Sequence, residues 1–125
     1  MTKIEFLKYL AKGWFGNSQH HSIHAQLLKA RGLNKLADKI MAESDEEWTE
    51  AKKVNARLIE LGETPAVEIE AYPVITDIKE MLEYDCKVAA EALPMMSKAL
   101  SMFDDDYVTR RMIEEFIIGE QDHFS

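Results

Sequence analysis

Basic residues, cysteine, glycine and proline are all scarce in this sequence of 125 residues. Its 15 lysines and arginines stand against 23 acidic residues, and the net charge of −8 excludes nucleic-acid binding by a broad basic surface. The single cysteine, Cys86, excludes an intrachain disulfide framework and is typical of a reducing compartment. No apolar run approaches the roughly 20 residues of a membrane span, and no apolar signal segment opens the chain. We therefore expect a cytoplasmic protein that binds neither nucleic acid nor membrane.

The length and composition predict one globular domain over residues 1–125. Apolar residues make up 46% of the chain and charged residues 30%, which is ordinary for a globular protein with a core of its own. The five glycines and three prolines are clustered, so long uninterrupted stretches remain between them. We find no internal repeat, low-complexity tract or linker that would divide the chain.

Apolar residues recur at helical spacing in four stretches, which predicts an all-α fold. Thr2 and Glu5 form a plausible capping box at the start of helix one, which we expect to run to about Ala30. The pair Arg31–Gly32 stops this helix, and helix two follows from about Leu33 to Leu61. So short a turn predicts that the first two helices are antiparallel neighbours.

The connection after helix two is unusually long. Gly62–Pro65 ends the helix, and the chain continues to about Thr76 before Thr76 or Asp77 caps helix three. Helices in a bundle are usually joined by two to eight residues, so this segment predicts a crossover along the molecule. Pro94 should kink helix three or remove one backbone hydrogen bond, and Asp104–Asp106 begins helix four. The predicted fold is an antiparallel four-helix bundle with one long crossover between helices two and three.

Each predicted helix carries polar side chains on its apolar stripe, where they are costly to bury unless something pairs with them. Helix by helix, they are Asn17 and His21, Glu47 and Glu50, Asp85, and the Glu-x-x-His pair Glu120 and His123. Carboxylate oxygen and neutral imidazole nitrogen suit hard or borderline divalent ions, and bridging carboxylates hold two ions close together. Di-iron bundles draw such ligands from all four helices. The joint pattern therefore predicts a metal site.

Several of these residues also have a structural interpretation. A Glu-x-x-His occurs by chance in many helices, and a stripe asparagine or histidine is more often a hydrogen-bonded core residue than a ligand. Glu50 could be solvated beside Lys53, and Asp85 could pair with Lys87 or Arg57.

Three histidines near the end of helix one suggest a second site. His20, His21 and His24 together could bind an ion, although we expect His20 and His24 to lie at the surface or at an interface.

Sequence segments from about His24 onward resemble a known family. The most specific are the Arg-x-x-x-Leu-Gly-x-x-Pro end of helix two (Arg57–Pro65) and the Asp-x-x-Glu-Met-Leu start of helix three (Asp77–Leu82). The others are His24–Ala25, Gly32–Leu36, Glu43–Glu47 and Gly119–His123. On these segments the chain resembles the ferritin-like superfamily, most closely bacterioferritin and the smaller Dps-like cages. The resemblance implies oxidation of Fe(II) by oxygen or peroxide at a di-iron centre, and storage of Fe(III) mineral within a shell of subunits.

The resemblance also implies roles for individual residues. Glu47 matches the bridging glutamate of helix two, and Glu120 and His123 match the helix-four ligand pair. Glu50 stands where the family has the helix-two histidine, and it can itself be a ligand.

Two family ligands are absent. The glutamate position of helix one holds Trp14, and that of helix three holds Ala89. His21 and Asp85 lie on the same stripes and are candidate replacements. Bacterioferritins carry a haem-ligand methionine just after the helix-two glutamate; Trp48 stands there, so no haem is expected.

Three hypotheses follow. The first is an iron-binding protein that oxidises Fe(II) as a ferroxidase and stores or detoxifies iron within a homo-oligomeric shell, cage or dimer-based. Its metal ligands are Glu47, Glu50, Glu120, His123, His21 and Asp85. The second is a ferritin-like scaffold whose degenerate site has no ferroxidase activity. The third is a site for one metal ion, iron or zinc, without oxidation chemistry.

Overall fold

The computed structural model of the chain describes residues 1–124, with side chains up to residue 122. It contains helices α1 (Lys3–Ala30), α2 (Asn34–Glu60), α3 (Ile78–Ala99) and α4 (Tyr107–Phe124), with a short 3-10 helix (Leu100–Phe103) before α4. The four predicted helices and the long connection after the second are therefore confirmed.

No helix in the described part of the chain is both long enough and apolar enough to cross a membrane.

The chain folds into two compact units, residues 1–81 and the residues from Leu82 onward. The first unit holds α1, α2, the crossover and the first turn of α3. The second holds the rest of α3, the 3-10 helix and α4. A single domain over residues 1–125 stays a prediction.

Local signals fix both ends of α1. The Thr2 hydroxyl accepts a hydrogen bond from the backbone N–H of Glu5 at 3.1 Å, and the Glu5 carboxylate accepts one from the backbone N–H of Thr2 at 3.1 Å. This is the predicted capping box, and its hydrogen bonds lower the pKa of Glu5. At the other end Gly32 has a φ of +79°, a conformation that glycine adopts without steric cost. The short turn lets α2 return beside α1.

The α1–α2 hairpin buries its apolar stripes. Each large aliphatic or aromatic side chain that becomes fully buried contributes about 1.5–3 kcal/mol relative to an exposed one. The buried apolar residues of the two helices are Phe6, Leu7, Leu10, Ala11, Trp14, Phe15, Ala25, Leu28, Ala37, Ile40, Ala51, Val54 and Leu58.

The crossover, residues 62–77, runs along the length of α1. Near the start of α1, the Lys8 ammonium donates a hydrogen bond to the Thr64 hydroxyl at 3.1 Å. One turn later, the backbone N–H of Glu70 donates to the carbonyl of Lys12 at 3.1 Å. Ile75 then packs against the apolar cluster at the far end of the hairpin. The crossover therefore places the first turn of α3 at the end of the hairpin opposite to where α2 stops.

Side chains from both helices anchor this crossover. The Asn55 amide donates to the carbonyl of Ala66 at 3.0 Å and accepts from its N–H at 2.8 Å. Lys12 lies 3.2 Å from Glu68 and 3.4 Å from Glu70, and hydrogen bonds to these carboxylates raise the pKa of Lys12. Because the pKa of Lys12 is higher in the folded state, its ion pairs stabilise the fold. This stabilisation is fully present below the ordinary pKa of 10.5 and is lost as the pH rises through the raised pKa.

The crossover makes its closest approach to α1 at Gly16. A Cβ built on Gly16 would overlap the carbonyl oxygen of Glu70 and lie 2.6 Å from its Cβ. Gly13, one turn earlier on the same helix, has no such neighbour within 4 Å. A glycine in a helix interior costs about 0.5–1 kcal/mol relative to alanine. At Gly16 the absence of a side chain lets the crossover lie directly on the helix, which offsets this cost.

In the second unit, α4 begins at an aspartate cap. Asp106 accepts hydrogen bonds from the backbone N–H of Thr109 at 3.1 Å and from its hydroxyl at 2.5 Å. Arg110 pairs with Asp104 at 2.5 Å. The break predicted at Asp104–Asp106 is confirmed, and α3 continues through Pro94 as far as Ala99. The buried apolar residues of this unit include Met96, Ala99, Phe103, Ile113 and Phe116.

We predict opposite effects for alanine at the two helical glycines. Gly16→Ala should lower the free energy of unfolding by about 1–3 kcal/mol, because the added methyl group overpacks against the Glu70 backbone. Gly13→Ala, the matched control, should raise it by about 0.5–1 kcal/mol. Urea denaturation followed by circular dichroism measures both. Equal effects of the two substitutions would contradict the close approach.

Candidate metal centre

A buried imidazole–carboxylate pair joins α1 to α2. The Nδ1 atom of His21 lies 2.5 Å from Oε1 of Glu47, and both side chains are almost fully buried. Both residues fall on the interior stripes of their helices, as the sequence predicts. The imidazole satisfies a carboxylate that would otherwise be costly to bury. Of the candidate ligands in the first unit, these two are brought into direct contact.

Two serines fix the helices just beside this pair. The Ser18 hydroxyl donates to the carbonyl of Ser44 at 2.7 Å, and the Ser44 hydroxyl donates to the carbonyl of Ser18 at 2.6 Å. Such reciprocal bonds require a close approach of the two backbones, which small side chains permit. They set the level at which His21 meets Glu47, since Ser18 and Ser44 each lie three residues earlier on the same helix.

Asn17 also contributes a polar atom to the interior. Its side chain is half-buried, and its Oδ1 atom has no hydrogen-bond partner among the described residues. An unsatisfied buried oxygen costs about 1–3 kcal/mol, so a donor or a cation at this atom would be stabilising.

Glu50 is less well suited to be a ligand. Its side chain is about a quarter exposed and lies 3.6 Å from the ammonium of Lys53. This is the surface interpretation that the sequence left open. Arg57 forms an ion pair with Glu60 at 3.2 Å.

The second unit places its candidates on α3 and α4. Asp85 is half-buried on α3, and Glu120 is only 6% exposed on α4. Glu120 therefore lies on the buried stripe, as its spacing from Ile113 and Phe116 predicts. The side chain of His123, the second half of the Glu-x-x-His pair, lies outside the described residues.

The prediction that His20 and His24 lie at the surface or at an interface is wrong. They are 4% and 0% exposed, and the crossover brings Tyr72 to 5.2 Å from His20, measured between ring centroids. Helical periodicity could not predict the burial of His20, since Tyr72 comes from a segment without periodicity.

The donor chemistry fits a divalent ion, although the ligand set is reduced. In the first unit the Glu47 carboxylate and the His21 imidazole, and in the second unit the Glu120 carboxylate, are donor types that iron and zinc bind. Trp14, at a family ligand position, is a buried indole, and an indole N–H has no lone pair for a metal. Ala89, at the other position, has no donor at all. Each of these donors is therefore of a type that iron binds, and two positions of the family pattern supply no donor.

The family comparison covers nearly the whole chain. The profile of the ferritin-like domain, called Ferritin, matches residues 8–125. A bacterial ferritin of Neisseria meningitidis serogroup B is 27% identical over 123 residues, covering 96% of this chain and 80% of its own length. One from Pseudomonas aeruginosa is 25% identical over the same span.

Solved structures agree with the fold. A Rhodobacter capsulatus bacterioferritin, described with a metal-free dinuclear site and a heme iron, superposes with a TM-score of 0.89 at 27% identity, covering 98% of this chain and 81% of its own. A Desulfovibrio desulfuricans bacterioferritin has the same TM-score at 23% identity, and it supports the fold alone. The predicted fold class, a ferritin-like four-helix bundle, is confirmed.

The residue at the haem position does not fit haem. Trp48, 44% exposed, lies edge-on against Phe15 with ring centroids 4.7 Å apart. An indole cannot replace the thioether of methionine as an iron ligand, because its nitrogen lone pair belongs to the ring.

We predict that His21 stabilises the metal-free protein through Glu47. His21→Phe keeps a ring of similar size but removes the imidazole beside the buried carboxylate, so the free energy of unfolding should fall by about 3–5 kcal/mol. In the double variant with Glu47→Leu most of this loss should be recovered, because no buried charge remains. Denaturation in the presence of a chelator measures both. A loss that persists unchanged in the double variant would mean that His21 acts by packing alone.

Proposed function

Because the chain belongs to the ferritin-like domain family, whose profile matches residues 8–125, we propose that it binds and oxidises Fe(II) and stores the iron within a shell of identical subunits. The observation that carries this proposal is the burial of two carboxylates, Glu47 and Glu120, at 4% and 6% exposure. Both occupy positions where the family pattern has iron ligands. Burying a carboxylate is costly, and carboxylate oxygen is a donor that iron prefers, so buried carboxylates at these two positions suit a metal centre.

We assign the roles as follows. Glu47, Glu120 and His123 are the principal iron ligands, with Glu47 able to bridge two ions. His21 holds Glu47 in the metal-free state and becomes a ligand or an orienting residue when iron enters. Glu50 and Asp85 are the further candidates, and the ion pair between Glu50 and Lys53 makes Glu50 the weaker of the two.

The substrate of the reaction is Fe(II), and each ion gives up one electron to oxygen or peroxide. The carboxylates neutralise the charge of the bound ions and favour the more highly charged Fe(III) product. Burial strengthens this effect, because the site has a lower effective dielectric constant than water. Fe(III) then leaves for the mineral.

The wider setting is also part of the proposal. Relatives named bacterial ferritin support a homo-oligomeric assembly, and a chain with one cysteine is suited to the cytoplasm. Haem plays no role in the proposed chemistry.

A second function, a ferritin-like scaffold or single-metal site without oxidation, is favoured by one observation. The buried indole of Trp14 occupies space on α1 where the family pattern has a carboxylate, and Ala89 supplies no donor on α3. A site that loses two glutamates can retain one ion, iron or zinc, and lose the pairing of two irons that oxidation uses.

Aerobic addition of Fe(II) to the purified protein distinguishes the two functions. We expect oxidation, followed by the absorbance of Fe(III), to be faster than in buffer. Glu47→Gln should slow it by at least about tenfold, since residues that only support a ligand already cost 10–100-fold. Glu46→Gln is the matched control, because it removes an exposed carboxylate from the adjacent position of the same helix.

Two outcomes would contradict the proposed oxidation at this site. Oxidation no faster than in buffer, with iron still bound, would favour the single-metal site. Oxidation that is equally fast in the Glu47→Gln and Glu46→Gln variants would remove the assigned ligand set.

A further inference from the structure

Two buried histidines, His20 and His24, lie one turn apart on α1, and the His20 ring centroid is 5.6 Å from that of His21. The ring centroids of His20 and His24 are 4.0 Å apart, with an angle of 60° between the ring planes. A ring nitrogen of one lies within 4.8 Å of a ring nitrogen of the other. Both side chains are buried, at 4% and 0% exposure. Two nitrogen donors therefore converge in the interior.

The crossover lies beside His20, the first histidine of this pair. The Tyr72 ring lies 5.2 Å from the His20 ring, at an angle of 40° between the planes. The position of Tyr72 is fixed by its neighbour Glu70, whose backbone is hydrogen-bonded to Lys12 and lies directly on Gly16. The His20 ring is thus confined between α1 and the crossover, which preorganises the pair for a ligand.

A metal ligand role explains two adjacent buried histidines better than a role in core packing does. Imidazole is polar, and burying two such rings side by side carries a desolvation cost that two apolar side chains would avoid. Histidines at positions i and i+4 of a helix are also a known chelating geometry, because both rings project from one face.

We propose that His20 and His24 bind one divalent transition-metal ion, of the class that prefers imidazole and is represented by Zn²⁺. Neutral imidazole is a strong ligand for Zn²⁺, Cu²⁺ and Ni²⁺ and a poor one for Mg²⁺ and Ca²⁺. Neither histidine is among the proposed iron ligands, and the proposal rests on the geometry of the two rings and not on the iron chemistry. It gives the chain a nitrogen-rich site besides its carboxylate-rich one.

Zn²⁺ titration of the metal-free protein by calorimetry tests this site. Excess Mg²⁺ in the buffer suppresses unselective binding to the acidic surface. We expect the parent to bind one Zn²⁺ that His20→Phe does not bind, since phenylalanine preserves ring packing against Tyr72 but has no nitrogen. Glu47→Gln, which alters the proposed iron centre, should retain this Zn²⁺. Equal Zn²⁺ stoichiometry and affinity in the parent and in His20→Phe would overturn the proposal.

A second measurement keeps the test valid if His20→Phe does not fold. X-ray absorption at the zinc edge, on Zn²⁺-loaded Glu47→Gln protein, should contain the scattering pattern of two imidazoles. A spectrum of oxygen ligands alone would overturn the site. The Glu47→Gln variant is also used for the iron assay, so it tests the two sites separately. Slower Fe(II) oxidation reports on the proposed iron centre, and retained Zn²⁺ reports on the histidine pair.

Discussion

The contact between His21 and Glu47 is the interaction on which the first unit of this structure depends. A carboxylate on an interior helix stripe must have a partner, and here the partner comes from the neighbouring helix at 2.5 Å. The reciprocal hydrogen bonds of Ser18 and Ser44 bring the two backbones close enough for that contact. The hairpin is therefore held by apolar burial along its length and by a small polar cluster at one level, and this cluster includes a family ligand position.

The crossover is the second constraint. It must lie flat on α1 to reach the far end of the hairpin, and Gly16 makes this possible where any side chain would collide with Glu70. Asn55 and Lys12 hold it at either side of the hairpin. In consequence a stretch of α1 that is polar in sequence becomes interior, and His20 and His24 are enclosed with Tyr72 instead of facing solvent.

Much of the fold could be predicted because its signals are local. Thr2 and Glu5 cap α1, Gly32 turns the chain, and the spacing of Ile113, Phe116 and Glu120 places the last on a buried stripe. What sequence could not supply were contacts set by the aperiodic crossover, such as the burial of His20 and His24. Nor could it decide whether Glu50 is a ligand, because an ion pair with Lys53 depends on rotamers that a helical wheel does not determine.

As a member of the ferritin-like family, the chain retains buried carboxylates at two ligand positions, Glu47 and Glu120, and has an indole and a methyl group at two others. We propose that this reduced set still binds iron. The most direct measurement is the iron content per chain after anaerobic loading with Fe(II) and desalting. We predict at least one retained iron ion per chain. Iron at the background level of a protein without a metal site would contradict the account.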